Sequence, residues 1–279
     1  MLNPLLNGCA RVAAGAVLAV ASAASAGAAE GGMALDRAPA KASDVVSLQN
    51  GARVFVNYCL NCHAASFMRY NRLQDLGLTE PQIRDNLILT GAKIGEVMKV
   101  AMDRKEARAW FGVAPPDLTL SARARSSHAG SGSDWIYTYL RTFYRDPARP
   151  TGWNNLVYPN VAMPHVLWQL SGEFDAVDQT FKSHAEAASA LRQQGGLGRV
   201  EAGITPGEWV LKTLKQATPG MLSALEYDRT VADLVNYMAF MAEPARAQRE
   251  KIGVFVLLYL GLLFVLAWLL KKEYWRDVH

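Results

Sequence analysis

The stretch Cys59-Leu60-Asn61-Cys62-His63 has two cysteines three positions apart, followed directly by a histidine. Two thiols three positions apart on a helical turn can each add to one vinyl group of the same porphyrin. The histidine that follows can bind the iron through Nε2. The stretch therefore predicts one covalently attached haem c, held by Cys59, Cys62 and His63.

Three other uses of a cysteine pair have to be weighed against haem attachment. A zinc site needs further ligands at suitable spacing, and the only other cysteine is Cys9. A redox dithiol of the thioredoxin kind needs a βαβ context, and a structural disulfide suits an exported protein. The adjacent His63, the export signal described next and the helical surroundings favour haem.

The first apolar stretch runs from Val12 to Ala29, follows a single Arg11 and consists largely of Ala, Val, Gly and Ser. It is too weakly hydrophobic to hold a bilayer span and ends in small residues, which is typical of a cleaved secretory signal. We assign residues 1–28 to the signal, with Cys9 leaving together with it. An N-terminal anchor is the alternative.

The second apolar stretch, Ile252 to Leu270, has 19 residues and no charge. As a helix it would be about 28 Å long, enough to cross a bilayer. We predict a membrane helix over residues 251–271 and a cytoplasmic tail over 272–279, because cations and interfacial aromatics follow the stretch and the N-terminus is exported. Residues 29–250 then form a periplasmic domain. A buried core helix is the alternative.

The charge balance gives no support for nucleic-acid binding. The chain of 279 residues carries a formal charge of +4, but residues 30–250 contain 24 Lys and Arg against 23 Asp and Glu. The excess of cations therefore lies near the apolar stretches, and two haem propionates would make the central domain negative.

The central domain has a mainly helical pattern. Helical spacing or capping predicts helices at Gly51–Tyr58, at Leu87–Met102, at Asp134–Tyr144 with Ser133 as the cap, and from Asp228 onward. The last of these has an apolar face, made of Val231, Leu234, Val235, Met238 and Met241. Pro147–Pro164 and Gly195–Gly207 are rich in Pro, Gly or Asn and are predicted loops. No run alternates clearly enough to predict a sheet.

Spacing alone leaves the second axial ligand of the iron open. Candidates are His128, His165, His184, Met221 and Met163, whereas Met98, Met102, Met238 and Met241 have a spacing that favours core packing. Met163 is the best placed. It lies in Tyr158-Pro-Asn-Val-Ala-Met163-Pro164, where a loop could wrap the distal face of a haem and Pro164 would restrain its approach.

The ordered set of motifs resembles the cytochrome c1 family, the haem subunits of ubiquinol–cytochrome c oxidoreductase, and especially its short bacterial members. The attachment motif alone is shared by all c-type cytochromes. The resemblance rests on further segments, and it covers most of the chain after the signal: Gly51 and Phe55, Ala114-Pro-Pro-Asp-Leu118, Arg123-Ala-Arg125, Asn160–Pro164, Tyr227–Tyr237 and Ala242-Glu-Pro244 before the C-terminal span.

This resemblance implies a c-type cytochrome fold with long loop insertions, His63 as the proximal ligand and Met163 as the distal one. It implies that Arg125 pairs with a haem propionate, as a guanidinium fork can, and that Pro115 and Pro116 wall the haem edge. The alternatives are a solvated arginine and a stiffened turn. Trp135 stands where relatives often have Tyr.

The implied function is electron transfer in the respiratory chain, at a bacterial inner membrane. The Rieske iron–sulfur protein would deliver one electron, and a soluble periplasmic cytochrome c would remove it, within a dimeric complex that includes cytochrome b. The lone chain would have no substrate chemistry. Two alternatives are a membrane-anchored cytochrome c feeding a terminal oxidase or photosynthetic centre, and a haem sensor or peroxidase-like enzyme.

Two features depart from the family pattern. His165 stands where relatives often place a proline near the Met-Pro pair, and we expect it to be exposed or to contact a partner rather than to bind iron. The stretch Gly172–Ile204 matches nothing recognisable, so its role stays open.

Overall fold

The computed structural model describes residues 33–100 and 102–277 of the chain. The predicted signal, residues 1–28, lies outside this part. About 47% of the residues in this part are helical and a long apolar helix stands near the C-terminus, which confirms the predicted mainly helical class with one candidate membrane helix.

Two crossing helices form the centre of the domain. Helix α1 (Val45–Val54) packs against α8 (Ala224–Ala242), whose predicted apolar face is buried. They approach so closely at Gly51 that a Cβ there would overlap the carbonyl of Asp233. Helix α8 begins at a capping box formed by Ser223 and Glu226, not at the predicted Asp228.

The helix predicted to lead into the cysteine pair is present. Helix α1 continues into a π-helical turn, Phe55–Cys59, in which the Leu60 amide donates to the Phe55 carbonyl. The Phe55 ring lies 5.5 Å from that of Tyr237 on α8. This contact with α8 orients the π-helical turn and therefore positions Cys59 at its end.

A second group of short elements follows the cysteine pair. These are β1 (Ala65–Arg69), a 3-10 helix (Tyr70–Leu76), α2 (Glu80–Leu87), β2 (Val97–Met98), α3 (Arg104–Phe111) and α4 (Ser121–Ala124). The helix predicted over Leu87–Met102 is wrong, because α2 ends at Leu87 and the chain then turns through Gly91 at φ 73°. Met98, whose apolar character suggested the helix, is buried from β2 instead.

The prediction for the next helix was right in place and wrong at both ends. Helix α5 (Gly132–Leu140) is capped by Ser131 with Asp134, not by Ser133. It stops before β3 (Phe143–Arg145), which pairs with β4 (Trp153–Asn155). Thr142 helps to end the helix. Its hydroxyl donates to the Thr138 carbonyl, and its amide donates to the Tyr139 carbonyl.

The part of the chain without recognisable motifs forms a sheet. After α6 (Trp168–Ser171), a long antiparallel hairpin of β5 (Gly172–Phe181) and β7 (Trp209–Pro219) carries α7 (His184–Gln194) and β6 (Gly198–Ala202). The sheet order is β4-β3-β5-β7-β6. We call residues 172–219 the sheet extension.

The prediction that the chain contains no sheet is therefore wrong, and the predicted loops 195–207 and 147–164 contain β6 and β4. The strands were hidden because each face of the sheet extension is only partly covered: Phe174, Ala176 and Leu214 pack against Tyr144 and Leu156 on the face opposite to Leu211. Leu211 is fully buried, whereas Lys212 on the next position faces Asp178 and Glu201. Such partly solvated strands carry charges and lack a continuous apolar run.

Three residues separate the end of α8 from the start of helix α9 (Arg246–Tyr274). Its segment Gln248–Tyr274 is long and apolar enough to cross a membrane, and none of its most apolar window is buried against the rest of the protein. A core helix of a soluble protein would be covered, so the buried-helix alternative finds no support here.

Candidate cofactor site

A cavity of about 520 Å³ lies in the helical part of the domain. The π-helical turn, the loops 113–118 and 158–167, helix α5 and helix α8 surround it, and its walls are mostly apolar. All seven residues that sequence analysis proposed for cofactor binding line this one cavity: Cys59, Cys62, His63, Pro115, Pro116, Arg125 and Met163.

The histidine of the attachment motif is already oriented for a metal. His63 Nδ1 lies 2.7 Å from the Pro116 carbonyl oxygen, which can only accept, so Nδ1 donates and Nε2 keeps its lone pair. Burial lowers the pKa of His63, and this keeps the ring neutral. Pro116 thus contributes a carbonyl to the site, a role that sequence analysis missed.

The loop that carries Pro116 is tied to the chain just after His63. The Leu118 amide donates to the Ala64 carbonyl at 2.9 Å. The Asp117 carboxylate accepts from the Ser66 amide at 2.8 Å and from the Thr119 hydroxyl at 2.6 Å. Because the bonds of Leu118 to Ala64 and of Ser66 to Asp117 join segments about fifty residues apart, they fix the carbonyl that orients the histidine.

The two cysteine side chains line the cavity and are not joined in a disulfide. Burial, with a smaller contribution from the neighbouring Cys62, raises the pKa of Cys59 to about 12. A redox dithiol needs a lowered thiol pKa, so this environment disfavours that alternative.

The loop that carries Met163 is held by two asparagines at the end of β4. The Asn155 side-chain oxygen accepts from the Val157 and Tyr158 amides, while its nitrogen donates to the Tyr139 carbonyl at 2.8 Å. Asn154 accepts from the Asn160 amide at 2.8 Å. Sequence analysis missed both, although two consecutive amide residues before a Pro-rich loop are a usable signal.

The other candidate ligands lie elsewhere. Met221 is 79% exposed, His128 is exposed, and His184 packs against Trp209 in the sheet extension. None of them is among the residues that line the cavity. Met98, Met238 and Met241 are buried, as their predicted packing role requires, whereas Met102 is only partly buried.

His165 does not line the cavity, but the expectation that it is exposed or contacts a partner is wrong. Only 3% of this residue is exposed, its ring stacks on Phe143 at 4.8 Å, and Nε2 lies 2.8 Å from the Ser171 hydroxyl oxygen. Burial lowers the pKa of His165 to about 3, so the ring is neutral. Strands β3 and β4 cover it, and because the sheet was not predicted, neither was the burial.

Arg125 stands at the edge of the cavity, exposed on one side. Its guanidinium carbon lies 4.2 Å from the centroid of the Trp135 ring, and that ring stacks on Tyr139 at 4.8 Å. Tyr158 adds a second aromatic face at 5.9 Å. The stack holds the cation beside the cavity, whereas an arginine in open solvent would have no such restraint.

The residues present fit a haem. The walls are apolar, the thiols and His63 come from one turn, and the Met163 thioether comes from a separate loop. Within residues 33–100 and 102–277, no group of three or more His, Cys, Asp and Glu side chains could hold a metal ion. A zinc site at the cysteine pair would need such a group.

Comparison with known proteins adds a family and relatives. The Cytochrome C1 family model matches residues 36–191 and 223–278 and leaves out much of the sheet extension. The chain is 46% identical over 250 residues to cytochrome c1 of Allochromatium vinosum, covering 89% of this chain and 91% of that protein. It is 29% identical over 291 residues to cytochrome c1 of Rhodospirillum rubrum, covering 96% of each.

Another relative has a different name. The chain is 47% identical over 245 residues to the ammonia monooxygenase gamma subunit of Nitrosomonas europaea, covering 88% of this chain and 89% of that protein. This similarity has the same extent as that to the Allochromatium protein, so the two relatives share one fold with this chain.

Proposed function

The chain belongs to the Cytochrome C1 family, and on that premise we propose that its cavity holds one haem c, attached through Cys59 and Cys62 and ligated by His63 and Met163. One observation carries this proposal. An attachment motif with an oriented histidine and the thioether of a distant methionine share the same apolar cavity.

The chain's residues would act by holding and insulating the group. Haem supplies reversible one-electron chemistry when bound, and a His/Met pair favours a high potential. His63 is held neutral by burial and oriented by Pro116, while the apolar walls limit access of water. Arg125, which Trp135 restrains at the cavity edge, would pair with a propionate.

Members of this family are electron-transfer haem subunits of the bc1 type. We infer that this chain accepts an electron from the Rieske iron–sulfur protein and passes it to a soluble cytochrome c, in a dimeric complex with cytochrome b. The name of the Nitrosomonas relative describes that protein. The haem-type cavity supports electron transfer for this one, without substrate chemistry on the lone chain.

Purification of the native protein from membranes tests this assignment. We expect one covalently bound haem per chain, and cytochrome b and the Rieske protein in the same dimeric complex. Deletion of the chain should abolish quinol-dependent reduction of cytochrome c. A protein isolated intact as a lone monomer, with quinol oxidation unaffected by its deletion, would contradict it and would favour an anchored cytochrome that serves an oxidase or photosynthetic centre.

The anchor and its orientation are part of the same proposal. The uncharged run Ile252–Leu270 would span the inner membrane, with the haem domain in the periplasm and Lys271, Lys272 and Arg276 inside. Ending the chain after Arg249 should release a haem-loaded, soluble periplasmic domain, whereas ending it after Tyr274 should leave it in membranes. Sedimentation of the shorter protein with salt-washed membranes would reveal a second anchor and rule out cleavage of the signal.

A further inference from the structure

A tyrosine hydroxyl points at the sulfur atom of the proposed methionine ligand. Tyr139, on helix α5, donates from Oη to Met163 Sδ at 3.4 Å. A thioether sulfur is a weak acceptor, and a phenol is both donor and acceptor. Because sulfur has no hydrogen to give, the proton in this bond belongs to the tyrosine.

The Tyr139 ring is fixed from several sides. Trp135 stacks on it with ring centroids 4.8 Å apart at 15°, and Phe143 meets its edge at 5.0 Å. Only 9% of the residue is exposed. Burial raises the pKa of its hydroxyl, which therefore stays protonated and remains a donor.

The backbone of the same tyrosine also holds the methionine loop. The Tyr139 carbonyl accepts from the Asn155 side chain at 2.8 Å, and that side chain in turn accepts from the Val157 and Tyr158 amides. The loop is thus bonded to Tyr139 at both its beginning and its methionine. Ring packing alone would require neither bond.

We propose that Tyr139 is a positioning residue for the methionine ligand. Its hydroxyl donates to one lone pair of the Met163 sulfur and leaves the other lone pair for the iron. This inference rests on the proposed function. A hydrogen bond to the sulfur withdraws electron density from the ligand, so the thioether becomes a weaker donor to ferric iron. The bond therefore raises the reduction potential of the haem.

The test compares variants of the complete protein in its native membranes. Tyr139→Phe keeps the ring and its stack on Trp135 and removes only the donor. A net hydrogen bond is worth roughly a threefold to tenfold change in an equilibrium, and tenfold corresponds to about 59 mV for one electron. We expect an equilibrium redox titration to show the potential lowered within that range, with a shifted methionine–iron absorption band.

Two further variants separate the hydroxyl from its surroundings. Tyr137→Phe removes a hydroxyl from the same helix that is not bonded to Met163, and should leave the potential unchanged. Incorporation of 3,5-difluorotyrosine at position 139 makes the phenol a stronger donor, so the potential should rise. This second measurement decides the matter even if Tyr139→Phe fails to fold.

Two results would overturn the inference. One is a Tyr139→Phe protein with the wild-type potential and absorption band, and the other is a fluorinated protein whose potential does not rise. Failure of the proposed function has a different signature. If Met163→Lys keeps the wild-type potential and band, then methionine is not the ligand, whatever the tyrosine variants show.

Discussion

The helical part around the cavity and the sheet extension differ in how completely their side chains are buried. In the helical part, Ala52, Phe55, Val231, Leu234 and Tyr237 are completely buried in one continuous core. The sheet extension adds a few partly buried side chains to a small second cluster, and its charged face bears the partly exposed pairs of Lys212 with Asp178 and Glu201. Exposed ion pairs stabilise little. We therefore expect a change of a few atoms in the helical part to alter haem content or potential, and a large deletion in the sheet extension to leave both unchanged.

The largest effect is expected where the two central helices cross. Gly51→Ala places a methyl group against the Asp233 carbonyl and Tyr237 Cβ. The overlap can be relieved only by moving the backbone of α8, which is energetically costly. Overpacking of this kind costs about 3 kcal/mol at its upper end, a large part of a typical domain stability. We expect strongly reduced haem-loaded protein, measured by absorbance per chain. The matched control is Gly95→Ala, which has open space around it, and equal losses in both variants would show that the crossing is not critical.

A ligand exchange in the same region should change the potential while leaving attachment intact. Met163→Lys replaces a weak neutral donor by a stronger one, which stabilises ferric iron. A fall of about 0.1 V is about 2.3 kcal/mol for one electron, or roughly fifty-fold in equilibrium. Haem should remain bound at Cys59 and Cys62 in denaturing gels stained for haem. An unchanged potential and methionine–iron band would assign the ligand to another residue.

Acid should act on the helical part through His165. Its pKa falls from 6.5 to about 3 on folding, so the unfolded chain binds more protons between these values and stability falls as pH drops through that window. At 1.36 kcal/mol per unit, acidification to pH 5 should cost about 2 kcal/mol in the free energy of unfolding, followed by denaturant titration. His165→Gln, which can still donate to Ser171, should lose this slope, and a parallel slope in both proteins would contradict the prediction.

The smallest effect is expected from shortening the sheet extension. Gln179 and Leu211 pair across the hairpin, so Thr180–Val210 can be replaced by Asn-Gly, a two-residue turn that suits antiparallel strands. Leu211→Thr would remove the apolar side chain uncovered by loss of α7. We expect unchanged haem content and potential, with a stability change below about 1 kcal/mol, or a few degrees in thermal midpoint. A changed potential would show that the extension supports the cavity after all.

The same contrast explains what could be predicted from sequence. The attachment motif, the apolar face of α8 and the C-terminal apolar run are local patterns, since each is a fixed spacing, a helical period or an uninterrupted stretch of apolar residues. Asn155, the carbonyl of Pro116 and the buried ring of His165 act through partners that only the folded chain brings near. The strands of the sheet extension were not predicted, because charged residues such as Lys212 and Asp178 obscure their period of two between apolar and polar side chains.

Only Glu243, Pro244 and Ala245 separate α8 from α9, the candidate membrane helix. Met238, which lines the cavity, lies about one turn before the end of α8. Extended residues reach at most about 3.6 Å each, and helical residues rise about 1.5 Å, so the cavity is tethered within about 30 Å of the apolar run that begins at Ile252. With the proposed haem in this cavity and Ile252–Leu270 in the membrane, the haem would stay within that distance of the lipid, so the proposed redox partners would have to come to it.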